Sequence, residues 1–278
     1  LDAMFEDMVR DGVEMSKIGV VNDSGQQHGH VYLAANADKK IAALRGAGSG
    51  ESNLVGRLDD VNTYGTAPIW KTSNTGEQAE DLRSEAGGRK AMILTSGSDS
   101  PLRFTGAVIR RVGEQFPDEY EATKTVQLIS SFIPSVLSGN SRTPWDFGNA
   151  CGTSLMEYTT RLWSDLLIHA ASDGLPGGSV TLKDKLPGLS APDAVVGSIS
   201  TYFVERYGFS TDCLICAGSG DNPQSKVVVE GDLLSLGTSF VNMVATDGTA
   251  FDLSGYANGM YDGAGRPFMF GCRTNGAL

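Results

Sequence analysis

Apolar positions recur along this chain at two spacings, and each spacing predicts its own kind of element. Leu1, Met4, Phe5, Met8 and Val9 lie three or four apart, which predicts a helix over residues 1–11 with one apolar face, ended at Asp11-Gly12. Residues 17–22 and 30–35 read as strands on either side of the polar turn Ser24-Gly25-Gln26-Gln27-His28-Gly29. A loop-rich stretch follows, through Gly46-Ala47-Gly48-Ser49-Gly50 to Ala67-Pro68-Ile69-Trp70. Residues 77–86 form a polar helix, and Thr105 stands where it would cap an amphipathic helix over 106–115. Residues 125–130 are strand-like, and 132–137 read as a short helix or turn around Pro134. Leu155, Leu162, Trp163, Leu166 and Leu167 predict a helix over 152–171. Then come a strand over 195–198, a helix over 199–207 closed by Gly208, and a strand over 213–217. Two further strands, 232–236 and 240–244, flank Gly237-Thr238.

Helices alternate with strands for most of the length, which predicts an α/β fold on a parallel or mixed sheet. Hairpin character takes over near Asp232, so a second domain is expected to begin there. The chain opens in mid-helix and closes on Asn275-Gly276-Ala277-Leu278, which reads as the start of another helix; both ends are expected to be cuts through a larger fold.

The net charge of -11 argues against a nucleic-acid backbone or an anionic membrane as main partner. Nucleotide binding stays open, because glycine turns hold phosphates without net positive charge. Cys213 and Cys216 form a C-x-x-C, but inside an apolar strand with no second pair and no nearby histidine; buried thiols in a reduced protein are expected, and no metal site. With no membrane-spanning run and no signal peptide, the expected location is the cytoplasm.

The candidate chemistry gathers late in the chain. Gly218-Ser219-Gly220-Asp221-Asn222-Pro223 presents one carboxylate in a glycine turn after an apolar strand. Alone, Asp221 reads as a capping acid; with Pro223 as first helical residue, Asn222 would be the cap. Shortly after, Gly237-Thr238-Ser239 offers amides and two hydroxyls of the kind that grip phosphates, although the Gly-Lys-Ser/Thr of a P-loop is missing. An acid beside such a turn suits phosphoryl transfer, where one base takes the proton of an attacking alcohol. In the turn around Gln27 and His28, polar side chains suit either a polyhydroxylated ligand or solvent. His30 would share a strand face with His28, but no third metal ligand is suitably spaced. Arg103 reads as a sugar or carboxylate contact, or as a surface arginine. Arg110 and Arg111 look solvated, and Trp163 looks like core.

In this order the residues resemble the FGGY carbohydrate kinases, and within them the xylulose-kinase branch. The resemblance covers nearly the whole chain. It runs through Ser24-Gly25-Gln26-Gln27-His28-Gly29-His30-Val31-Tyr32, Pro68-Ile69-Trp70, Arg103-Phe104-Thr105-Gly106 and Leu128-Ile129-Ser130-Ser131-Phe132. It continues in Val196-Gly197-Ser198-Ile199-Ser200, Tyr207-Gly208-Phe209, Gly220-Asp221-Asn222-Pro223 and Ser235-Leu236-Gly237-Thr238-Ser239. It implies actin-like (ribonuclease-H-like) α/β domains closing on a cleft. Residues 1–231 would be the sugar-binding N-terminal domain without its first strands, and 232–278 the start of the nucleotide-binding C-terminal domain. It implies transfer of the ATP γ-phosphoryl group to the 5-hydroxyl of D-xylulose, with Mg2+. Asp221 would be the general base, Gln27, His28, Arg103 and Asn222 sugar contacts, and Gly237, Thr238 and Ser239 phosphate binders. A non-catalytic sugar- or nucleotide-binding relative, or a kinase for another ketose or polyol, is the alternative. The chain departs from the family's pattern in several places. No Asp-x-Gly-Thr turn precedes the first helix, and the adenosine-binding glycines would lie past Leu278. The segment 224–231 is short and lacks a small glycine-bearing helix. Trp70-Lys71-Thr72 lacks an acid, and Cys151-Gly152 replaces Ser-Gly. Residues 1–278 alone are expected to be inactive.

Overall fold

Two stretches of chain run side by side and set the frame. Val20–Val21 pairs in parallel with Leu214–Cys216, and a little further on Ser24–Gly25 pairs in parallel with Ser219–Gly220. Between the two pairings the later stretch carries one residue more, and Gly218 absorbs it with a left-handed φ of 74°. Both stretches therefore deliver their next residues, Gln26 to His28 and Asp221 to Asn222, to the same end of the pairing. Val195–Ser198 adds to the other edge of Leu214–Cys216, antiparallel. The structure, a computed structural model, describes residues 1–46, 52–236 and 239–274, with the side chains of Ser239, Arg273 and Thr274 left out. The glycine run after Gly46, the Gly237-Thr238 turn and the helix start expected at Asn275 lie outside the described residues.

His30–Ala34 pairs antiparallel with Thr123–Leu128 and carries Tyr32 into the largest core, with Leu128, Val108, Trp145, Leu155 and Ile168. A second core gathers Phe5, Tyr202, Phe203, Tyr207, Phe209 and Ile215. The four-stranded antiparallel sheet runs in the order Leu233–Leu236, Ser239–Ala245, Pro267–Thr274, Ala257–Tyr261. Its Met243, Met260, Tyr261, Phe268 and Phe270 enter the same largest core as the helices before residue 231.

Several expectations are corrected. The predicted helix over 152–171 is a 3-10 turn Cys151–Thr153, a hairpin of Met156–Glu157 with Leu162–Trp163, and a helix only over Asp165–Ser172. Left-handed φ values at Ser154 (58°) and Arg161 (57°) break the helical path, and the Ser164 side chain accepts from the Leu167 amide to start the helix. Thr105 is the first residue of the helix Thr105–Gln115; Phe104 holds the cap position, and the Thr105 hydroxyl caps nothing. Short helices Asn36–Ala43, Leu54–Arg57, Arg89–Ser96 and Gly178–Lys185 were not read from the sequence. Of the apolar face on the first helix, Asp2–Arg10, only Phe5 is buried; Met4 and Val9 are exposed. Arg110 is buried among Glu114, Asp81 and the Ala170 carbonyl, so it is not solvated. The expected core role of Trp163 holds, since its ring sits edge-on to Trp145.

Candidate functional site

Asp221 opens the helix Asp221–Val227, with Gly220 in the cap position. Pro223 is thus the third helical residue, and Asn222 does not cap the helix. Its side chain turns to the loop after Ser24–Gly25, where Nδ2 donates to Gln27 Oε1 at 2.9 Å. The Gln27 amide in turn donates to Asp221 Oδ1 at 3.2 Å. Gly220 is what lets the arms close: a Cβ there would stand 2.5 Å from Gln27 Cγ and 2.7 Å from Asn149 Oδ1. The helix itself has only seven residues, too few to be stable alone. The hairpin 262–266 grips it at both ends. The Gly263 amide donates to the Pro223 carbonyl at 3.0 Å, and the Arg266 guanidinium to the Val227 carbonyl at 2.7 Å.

His28 sits at φ 68°, not on the strand, so it does not share a strand face with His30. Its Nδ1 donates to the Gly152 carbonyl at 2.8 Å, which fixes the tautomer and leaves Nε2 as an acceptor. Burial, with the Arg103 charge adding to it, pushes the ring down to about 3, so His28 is neutral. His30 serves the fold, donating from Nδ1 to the His28 carbonyl and accepting from the Tyr32 hydroxyl. The His28 ring stacks on Phe104 at 4.7 Å, and the Arg103 guanidinium lies 5.8 Å from the same Phe104 ring. Among the described residues no carboxylate pairs with Arg103, whose pKa is lowered by burial. Gln27 Nε2 is buried without a partner. The structure thus brings Gln27, His28, Asp221 and Asn222 together and adds Arg103 through Phe104. Free donors beside one exposed carboxylate suit a ligand with several hydroxyls. Gly237 and Thr238 lie outside the described residues, as does the Ser239 side chain. Among the described residues no group of three His, Cys, Asp or Glu side chains is placed to hold a metal ion, and no helix is long and apolar enough to cross a membrane.

Sequence reasoning missed the layer behind these residues. Asp146 is fully buried; its Oδ2 accepts from the Ser219 hydroxyl and, at 3.0 Å, from the Asn149 amide. Its only sequence signal is its place as a cap three residues before Asn149. Burial pushes Asp146 up to about 7, and pushes Asp23 up to about 8 with the Asp146 charge adding to it. Both carboxyls therefore keep protons in the fold that the unfolded chain releases near 3.8. Their contribution is complete below that value and is lost as pH rises toward 7 and 8. The depressed His28 and His30 act oppositely, but only below their ordinary 6.5. Above pH 6.5 the two histidines no longer oppose the carboxyls, and each proton so held changes stability by up to about 1.4 kcal/mol per pH unit. Urea midpoints are expected to fall over that window, and to fall less in Asp23→Asn; an equal slope in the variant refutes the assignment.

The α/β frame that brings a carboxylate and a polar loop to one end of paired parallel strands is shared with solved sugar kinases of the actin-like fold. It superposes on the xylulose kinase of Bifidobacterium adolescentis with a TM-score of 0.75 at 17% identity, over 97% of this chain and 55% of that one. Residues 12–228 match the N-terminal domain of the FGGY family of carbohydrate kinases, and the chain belongs to that family. It is 30% identical to D-xylulose kinase A of Aspergillus niger over 283 residues, covering 100% of this chain and 48% of the relative. It is 33% identical to the xylulose kinase of Rattus norvegicus over 243 residues, or 86% of this chain and 43% of the relative. The chain spans about half the length of the curated relatives it matches.

Proposed function

We propose that the protein carrying this chain transfers the γ-phosphoryl group of ATP to the 5-hydroxyl of D-xylulose, giving D-xylulose 5-phosphate. The observation that carries this reading is the Asp221 carboxylate, pinned through one oxygen by the Gln27 amide beside the His28–Phe104–Arg103 stack. Asp221 takes the proton of the attacking hydroxyl through its other oxygen. Neutral His28 accepts from a sugar hydroxyl at Nε2, Arg103 and Gln27 Nε2 donate, and Asn222, whose Nδ2 is taken up by Gln27 Oε1 and Asp221 Oδ1, contacts the sugar through its Oδ1 as acceptor. These residues fit the acceptor half of the reaction. On the donor side, the amides and hydroxyls of Gly237, Thr238 and Ser239 would hold the β- and γ-phosphates. Mg2+, when bound with ATP, neutralises the phosphate charge. In this reading residues 1–231 form the sugar-binding domain and 232–278 begin the nucleotide-binding one. The nucleotide-side assignments lie beyond the family match over residues 12–228 and rest on the sequence resemblance at Ser235-Leu236-Gly237-Thr238-Ser239.

The test is a coupled assay of ADP release, with the protein expressed at its full encoded length and given D-xylulose, D-ribulose, glycerol or gluconate. The expected result is a kcat/KM for D-xylulose at least about tenfold above the others, a margin of about 1.4 kcal/mol in transition-state binding. A higher value for another acceptor replaces the substrate. Sugar binding by calorimetry with no ATP consumed replaces the kinase by a binding protein.

A further inference from the structure

Among the described residues Asp146 makes no hydrogen bond to a residue assigned to the sugar, yet both arms of that site hang from one of its oxygens. The first arm begins at the Ser219 hydroxyl, which donates to Oδ2 two residues before Asp221. The second begins at the Asn149 amide, which donates to the same Oδ2 at 3.0 Å and so caps the helix Phe147–Ala150. That helix continues into Cys151–Thr153, whose Gly152 carbonyl receives the His28 ring proton at 2.8 Å. The junction has no slack. A Cβ on Gly148 would stand 2.7 Å from Ser219 Oγ and 2.9 Å from Asp146 Oδ2. Asn149 Nδ2 also donates to Ser130 Oγ at 2.5 Å, which ties the cap to the neighbouring helix. A buried carboxyl is costly to keep in the interior, and the fold has an apolar neighbour, Trp145, at the adjoining position. The group is retained where it joins two segments far apart in sequence.

We propose that Asp146 is a positioning residue for phosphoryl transfer, registering the Asp221 arm against the His28 arm through Ser219 and through its helix cap. This rests on the proposed sugar site, and it assigns that site a dependence on a residue fully buried behind it. Truncation at 146 frees both arms, whereas loss of the Ser219 hydroxyl frees only the base. Asn at 146 keeps an oxygen that accepts from both partners.

The experiment compares Asp146→Ala, Asp146→Asn and Ser219→Ala in the protein at its full encoded length. Asp146→Ala is expected to raise the KM for the sugar by about tenfold or more and to lower kcat, with the KM for ATP little changed, as displacement of reacting groups does. Asp146→Asn is expected to restore most of both. Ser219→Ala is expected to lower kcat while sparing the sugar KM. Imidazole nitrogen NMR gives a readout that needs no turnover: His28 stays an Nδ1–H tautomer in the wild type, Asp146→Asn and Ser219→Ala, and loses that preference in Asp146→Ala. Wild-type kinetics in Asp146→Ala with an unchanged His28 tautomer overturn the proposal. If Asp146→Ala does not fold, an unchanged kcat in Ser219→Ala overturns it. If the wild type phosphorylates no sugar, the functional reading fails and the His28 spectra alone decide this one.

Discussion

Replacing Asp221 by asparagine is expected to lower turnover by about 10²–10⁴-fold, the range a positioned general base contributes, while sugar binding stays near wild type. Asparagine has the same shape and keeps the oxygen that accepts from the Gln27 amide at 3.2 Å. The loop and helix therefore stay in register, and Asn222 keeps its bond to Gln27 Oε1. What is lost is the site for the hydroxyl proton. The measurements are kcat from a coupled assay and the sugar Kd from calorimetry. Turnover within tenfold of wild type would mean that another group accepts the proton. A parallel loss of sugar affinity would mean that the carboxylate binds and does no more.

Alanine at Gly218 is expected to cost stability on the order of 2–5 kcal/mol and to take activity with it. Gly218 holds φ at 74°, where an alanine is strained. Its Cβ would also stand 1.7 Å from Asp23 Oδ1 and 3.1 Å from the Ser130 carbonyl. The two costs separate in the double variant with Asp23→Ala, which clears the first contact and leaves the backbone strain. Urea unfolding gives the numbers. A loss below about 1 kcal/mol, smaller than the backbone strain alone, would show that the extra residue between the two strand pairings is accommodated elsewhere.

The strands and helices with strong patterns were legible. The strand His30–Ala34, the helix Thr201–Tyr207 with Gly208 beyond it, and the strand Leu214–Cys216 fall where the apolar spacing puts them. The failure at 152–171 has a physical cause. Leucines at helical spacing were counted across Ser154 and Arg161, whose left-handed backbone carries no signal in residue type. Short helices such as Arg89–Ser96 were missed because packing holds them and their own period does not. Of the candidate site, Gln27, His28, Arg103, Asp221 and Asn222 stand out in the sequence through glycine turns and the family resemblance, and the structure brings Gln27, His28, Asp221 and Asn222 together. Asp146 was not, because one cap residue looks like any other until the fold brings Ser219 to it. The buried stack of His28 on Phe104 was also invisible, since the two residues are far apart in the chain.

The grip of the hairpin 262–266 on the helix Asp221–Val227 bears on the order in which the protein can be made. All the residues proposed to contact sugar are synthesised before residue 228, the last of the family-matched stretch. The hairpin that steadies Pro223 and Val227 emerges from the ribosome later. A nascent chain ended before Gly263 would carry the complete sugar loop with its carboxylate on an unsupported two-turn helix. If the proposed function holds, the support of the Asp221 helix is thus deferred during synthesis until this later segment has docked.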